Sequence, residues 1–252
     1  MQDKKTSILY KIIRWIVSVI YPKTRIVGAE NIPEEASIAV GNHSQVHGPI
    51  AGELYFPGRH YIWTIGQMMT LKEVPAYAFQ DFWSAKPKWI RWFFKIASYV
   101  IAPVAVFIFG NAHCIPVYHD SRILSTFRET VQKLSEGNHI VIYPECYDEH
   151  NQIVHEFQEG FVDVARVYYK KTGKKVSFVP MYLAPNLRTI YFGKPTQFDP
   201  DRPIEEERVR VCNYLMDSIT DIAVHLPRHR VVPYPNIPKK EHGYNIPEEA
   251  TE

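Results

Sequence analysis

GNHSQVHGP, residues 41–49, follows the apolar run Ser37-Ile38-Ala39-Val40. A short apolar run closed by glycine reads as a buried strand. Asn42 and His43 then stand at the strand end, at the start of a loop. A side chain there is held by a rigid scaffold and stays open to a substrate. An imidazole in that place can act as a general base at neutral pH without a large pKa shift. Such a base usually leans on a carboxylate that fixes its tautomer. None follows here, where the next residues are Ser44, Gln45, Val46, His47 and Gly48. Gly48-Pro49 opens a helix through about Phe56, because proline is favoured at the first helical position.

Outward from this loop, strands and helices alternate. Strands are expected at Thr24–Gly28, Ala36–Gly41, His60–Ile65, Asn111–Tyr118, His139–Tyr143, Val176–Leu183 and Leu187–Phe192. Helices are expected at Ser121–Gly137, with a core stripe of Ile123, Leu124, Phe127, Val131 and Leu134, at Phe157–Thr172 before Gly173, and at Pro203–Leu226. Gly173 suits a helix C-cap, and Glu205, Glu206 and Glu207 suit a helix N-terminus. The order predicts an α/β domain over residues 24–226, with a mixed, mostly parallel sheet flanked by helices. Residues 227–252 are rich in proline and charge, contain YPNIP and EEATE, and read as an extended tail.

The chain of 252 residues is 46% hydrophobic, enough to bury a sizeable core, and carries a formal net charge of +2. That balance argues against a nucleic-acid partner, which calls for a basic patch or stripe. Three scattered cysteines, Cys114, Cys146 and Cys212, form no CxxC pair and no disulfide framework.

Two segments point to a membrane. Ile8–Tyr21, ILYKIIRWIVSVIY, is too short to span a bilayer, and no small-residue cleavage site follows it. Lys11 and Arg14 share one helical face, while Ile8, Ile12, Trp15, Ile16 and Val19 form another. Residues 1–23 therefore read as an amphipathic, membrane-associating helix; packing on the domain's own core is the alternative. Trp89–Phe109 is apolar except for Arg91 and Lys95, with Pro103 inside it. Its charges and aromatics crowd one end, which favours a helical hairpin or dipping element over a clean span. The alternative is a buried helix followed by a strand.

Four blocks in order carry a family resemblance. Asn42-His43 with Pro49, Ile115-Pro116-Val117, Tyr143-Pro144-Glu145 and Val179-Pro180 resemble the blocks NHxxxxDP, IPVxR, FPEGTRS and VP of the lysophospholipid and glycerol-3-phosphate acyltransferase family. The likeness runs over residues 10–225. It implies that His43 deprotonates an acceptor hydroxyl, which attacks an acyl thioester. The logic is that of a catalytic triad with the substrate hydroxyl in place of serine. It also implies that Glu145 supports the acceptor site, that acyl-CoA or acyl carrier protein delivers the acyl group as co-substrate with no further cofactor, and that the chain sits on the cytoplasmic face of a membrane as a monotopic or peripheral protein.

The chain departs from the pattern where charge is needed. Gly48 replaces the aspartate, His119 the arginine of the second block, and Cys146-Tyr147-Asp148 the Gly-Thr-Arg of the third. Candidates to replace the lost carboxylate are Glu53, on the helix after His43, along with His47 and Glu145. Asn42, His47, His119, Arg122 and Glu145 are the candidate acceptor-binding residues. With the phosphate-gripping arginines gone and Asp148 in their place, an uncharged acceptor is expected. Two other readings compete: an inactive member that binds lipid or a partner, and a metal-dependent hydrolase using His43 and His47 with Glu145, Cys146, Asp148, His150 or His155. The second needs both histidines on one helical face, and Gly48-Pro49 puts them ahead of the helix, so no metal site is expected.

Overall fold

The computed structural model describes residues 7–84 and 86–247. In chain order its elements are α1 (Ile8–Ile20), β1 (Arg25–Val27), β2 (Ser37–Gly41), α2 (His47–Tyr55), β3 (His60–Ile65), α3 (Val74–Ala78), α4 (Arg91–Asn111), β4 (Cys114–Val117), α5 (Ile123–Ser135), β5 (His139–Ile142), β6 (Glu145–Glu149), β7 (His155–Phe157), α6 (Asp163–Thr172), β8 (Ser177–Ala184), β9 (Thr189–Phe192), β10 (Thr196–Gln197) and α7 (Ile204–Val224). Residues 1–6 of the expected N-terminal helix segment, and the EEATE end of the expected tail, lie outside the described residues. The chain divides into two compact units: Pro22–Tyr61 with Thr130–Glu252, and Met1–Tyr21 with Ile62–Glu129.

The larger unit is built on a sheet in the order β1-β9-β8-β2-β5, with β10 paired to β8. β1 and β9, β8 and β2, and β2 and β5 run parallel, whereas β8 and β9 run antiparallel. Every residue of β2 and of β5 is buried, which is why both read as unbroken apolar runs rather than alternating ones. Val40 lies level with Ile142 on one side and Pro180 on the other. The chain therefore leaves β2 and β5 at the same sheet end, the carboxyl end, where open α/β sheets bind ligands. Gly173 closes α6 in the left-handed conformation, φ 69°, with its N–H on Tyr169 O at 2.8 Å. α7 begins on Glu205 and Glu206, which complement its dipole.

Beyond β5 the chain forms an unexpected hairpin. β6 and β7 pair antiparallel, Glu145 opposite Phe157 and Glu149 opposite His155. The stretch ECYDE reads as polar loop because all of it but Glu145 and half-buried Cys146 is exposed.

In the smaller unit β3 and β4 pair in parallel, from Ile62 opposite Cys114 to Ile65 opposite Val117. Residues 91–111 form one helix, neither a hairpin nor a helix followed by a strand. Pro103 removes one backbone donor, and the helix continues through it. Ser98, Ala102 and Ala105 recur on one face of α4 and are buried; the two alanines pack on Met68, Val74 and Ala78. The opposite face carries exposed Trp92, Ile96, Tyr99, Val100 and Val104. Residues 88–111 are long and apolar enough to cross a membrane. α1 buries Tyr10, while its apolar stripe faces outward: Ile8 is 77% exposed and Trp15 64%, with Ile12, Ile16 and Val19 exposed as well. α5 buries Val131 and Leu134, but Leu124 of its expected core stripe is exposed.

Candidate active site

Asn42 closes β2 and fixes the loop after it. Its Oδ1 accepts the Leu183 N–H at 2.7 Å, and its Nδ2 donates to Leu183 O at 3.0 Å and to Ser44 Oγ at 2.7 Å. The side chain thereby pairs with the backbone of β8 as a strand residue would. These three bonds hold the loop. Ser44 and Gln45 follow with φ of 48° and 56°, both in the left-handed region. Such residues cost about 1–3 kcal/mol each and persist where surrounding bonds hold them. Here Asn42 holds Ser44, and Gln45 Nε2 donates to Pro235 O at 3.0 Å.

Glu145, the first residue of β6, organises the site from beneath. It is 3% exposed. Its Oε2 accepts the backbone N–H of His43, 102 residues away, and its Oε1 accepts the backbone N–H of His155 at 2.9 Å. Burial pushes its carboxyl up from the ordinary 4.5 to about 7, against the pull of the two N–H donors. Glu145 therefore ties the His43 loop to the hairpin. Its bond is to the His43 backbone, not to the imidazole.

Burial lowers the His43 pKa, and contact with the Gln45 backbone offsets part of that shift. The ring is thus neutral at pH 7, the form a general base needs. Its Nδ1 is buried and has no hydrogen-bond partner among the described residues. No carboxylate of the described residues, Glu53 included, hydrogen-bonds that nitrogen. Glu53 lies half-buried in the second turn of α2. Spacing along a helix sets how far away a residue is, not where its side chain points. In place of an acid, two tyrosines flank the ring. Tyr143 stands with ring centroids 5.7 Å apart and planes at 73°, and Tyr234 at 5.6 Å and 84°.

The glycine at 48 has a packing cause. Gly48 donates its N–H to His43 O at 3.0 Å, and its carbonyl accepts from Tyr143 Oη at 2.6 Å. A Cβ at this position would lie 2.4 Å from His43 O and 3.1 Å from Tyr143 Cε1. No side chain, an aspartate's least of all, fits there without moving the His43 backbone.

The other candidates separate. His47 is the first residue of α2, so the helix begins one position earlier than Gly48-Pro49 suggests. Its pKa is lowered by burial and then by the neighbouring Lys239 and His242 side chains. His119 and Arg122 belong to the smaller unit. His119 is exposed, and the Arg122 guanidinium is committed to Asp120 at 2.8 Å and Glu73 at 3.0 Å, lying 3.9 Å over the Tyr118 ring. Among the described residues, no three His, Cys, Asp or Glu side chains converge as a metal-binding group.

Two participants, Tyr143 and Tyr234, were given no role by the sequence, and a third, His155, was weighed only as a metal ligand. Tyr143 stood inside a matched block without a role of its own. His155 lay in what read as solvated loop, yet is 8% exposed with its ring 6.0 Å from that of Tyr234. Tyr234 sat in the expected tail and carried no local signal at all.

No family model matches this chain, and no curated protein matches it in sequence. Among solved structures it is similar to the crystal structure of the 1-acyl-sn-glycerophosphate (LPA) acyltransferase PlsC from Thermotoga maritima. The two are 17% identical, the match covers 90% of this chain and 86% of that one, and the TM-score is 0.50. At that identity the likeness establishes the fold: a mixed, mostly parallel sheet flanked by helices.

Proposed function

We propose that this chain is a membrane-associated acyltransferase that moves an acyl group from a thioester to an uncharged acceptor hydroxyl. The observation that carries the reading is His43 itself: a neutral imidazole at the carboxyl end of β2, its backbone clamped by buried Glu145, on the fold of a lysophosphatidic acid acyltransferase. The acceptor oxygen attacks the thioester carbonyl while His43 takes its proton. The C–O bond forms, the C–S bond breaks, and the proton passes to the departing thiolate.

Without a carboxylate, the imidazolium formed on the way draws on the Gln45 backbone and on Tyr143 and Tyr234. A cation beside an aromatic ring gains about 0.5–2 kcal/mol. An orienting carboxylate supplies a factor of about 10⁴ in a triad, or about 5.5 kcal/mol. The enzyme is accordingly a slow one. The uncharged acceptor follows from His119 and Asp148 standing at the positions of the two motif arginines. Glu53 is left without a hydrogen bond to Nδ1, so Glu53→Gln is expected to retain activity. Acyl-CoA and acyl carrier protein are both suitable donors, and the cytoplasmic face of a membrane is the expected location.

The exposed stripe of α1 and the outer face of α4 support the membrane part of the reading. Trp15 and Trp92 are suited to the interface, and Lys11 and Arg14 to anionic headgroups. The orphaned Nδ1 favours one rival, a lipid-binding protein without turnover. Labelled acyl-CoA with a panel of hydroxyl acceptors separates the two. Transfer that disappears in His43→Ala supports the enzyme. Equal signal in wild type and His43→Ala, or faster acylation of lysophosphatidic acid than of any neutral acceptor, refutes the corresponding part of the proposal.

A further inference from the structure

Residues 227–247 have almost no regular structure, yet they are fastened at both ends. His229 Nε2 shares a 2.8 Å hydrogen bond with Tyr182 Oη, and the His229 N–H donates to Asn245 Oδ1 at 2.7 Å. Asn245 Nδ2 donates to Ala223 O at 2.7 Å, at the end of α7. Val231 N–H reaches Gly243 O at 2.9 Å, and Asn186 Nδ2 holds Arg230 O at 2.7 Å. Val231 and Val232 are buried. The segment expected as a tail is therefore a loop pinned at its base, with residues 234–238 at its tip.

That tip meets the His43 loop. Gln45, in its left-handed conformation, donates to Pro235 O at 3.0 Å. The Tyr234 ring stands 5.6 Å from His43, 5.3 Å from Tyr147 and 6.0 Å from His155, measured between ring centroids. One aromatic side chain thus touches the expected base, the hairpin residue at the lost arginine block, and the second histidine held by Glu145.

We propose that this pinned loop is the acceptor-side wall of the active site and that Tyr234 is its specificity-determining residue. The acceptor class that fits is an uncharged, hydroxyl-bearing ring, a sugar-like polyol. The C–H face of such a ring packs on a tyrosine face, and its hydroxyls find the polar groups of Tyr147 and His155. A phosphate in the same place would find no guanidinium among the side chains that the Tyr234 ring packs on. The proposal rests on the transferase reading above and adds to it which part of the chain selects the acceptor.

The test is steady-state acyl transfer from labelled acyl-CoA to butyl β-D-glucoside and, separately, to lysophosphatidic acid. It uses wild type, Tyr234→Ala, Tyr234→Phe, Lys239→Ala and His43→Ala. With the glucoside, Tyr234→Ala is expected to raise KM about tenfold, more than it lowers kcat, because it removes the packing face. Tyr234→Phe keeps that face and should restore KM to within about threefold of wild type. A glucoside KM that Tyr234→Ala leaves unchanged overturns the proposal while the transferase reading stands. So does a preference for lysophosphatidic acid whose KM responds to Lys239→Ala instead. Absence of His43-dependent transfer to either acceptor overturns both.

Discussion

Replacing Gly48 by alanine tests why this chain lacks an acid beside its histidine. Gly48 is buried near the start of α2, and its φ lies outside the left-handed region, so alanine meets no backbone conflict. Helix propensity alone would favour alanine by about 1 kcal/mol. Against that, the new Cβ would stand 2.4 Å from His43 O and 3.1 Å from Tyr143 Cε1. Forcing an extra methyl into a packed site costs about 1–3 kcal/mol. Moving the backbone also weakens the Gly48–His43 and Tyr143–Gly48 hydrogen bonds, each worth about 0.5–1.5 kcal/mol. The expected net loss is about 3 kcal/mol, with a range of about 1–5 kcal/mol. For a chain of this size that is a Tm lower by about 6–12 °C. Thermal and urea denaturation measure it, with Gly160→Ala as the control, since a Cβ at Gly160 meets nothing within 4 Å. Gly48→Asp, which supplies the aspartate of the motif that this loop resembles, should be less stable still and no more active. If Gly48→Ala unfolds within about 0.5 kcal/mol of wild type, the range of a surface substitution, the loop is free to reshape and packing does not exclude the acid.

Other outcomes follow from the same site. A carboxyl raised from 4.5 to about 7 binds its proton more tightly in the folded state, so Glu145 makes the protein lose about 3 kcal/mol of stability as pH rises through that interval. Urea titrations of Glu145→Gln against wild type should therefore show a larger penalty at pH 4.5 than at pH 8; an equal penalty at both contradicts the raised pKa. Asn42→Ala leaves the Leu183 N–H and C=O without the side chain that pairs with them, and should destabilise by about 2–4 kcal/mol in the same assay. Because burial lowers the His43 pKa, the acidic limb of kcat/KM should fall below pH 6.5, and a midpoint above that value would place a charge partner on the ring. Ile12→Glu with Trp15→Glu should release the protein from anionic vesicles in a sedimentation assay, and unchanged binding would remove α1 from the membrane contact.

What was legible in the chain follows its burial pattern. β2, β5 and β8 stood out because strands covered on both faces keep an apolar run, and α6 and α7 because glycine and acids mark their ends. Asn42, His43 and Glu145 could be singled out as the polar residues that close such runs. The hairpin of β6 and β7 was hidden by exposed polar residues, and the pinned loop at 227–247 by its prolines. α4 reads as broken because Pro103 suggests a break that the helix does not make. Ser44 and Gln45 give no warning of their left-handed backbone, since neither is glycine and bonds made elsewhere hold them.

The sequence by itself determined which strands are buried, where they end, and that a histidine with no local acid stands at one of those ends. Only the tertiary structure decided what surrounds it. Glu145 binds the His43 backbone rather than its ring, Gly48 is glycine because His43 O and Tyr143 occupy the space of a side chain, and Tyr234 arrives from the far end of the chain. Local pattern encodes burial, since burial repeats with the period of a strand or a helix. Partners brought together across a hundred residues and more are chosen by packing and hydrogen-bond geometry, which leave no periodic trace.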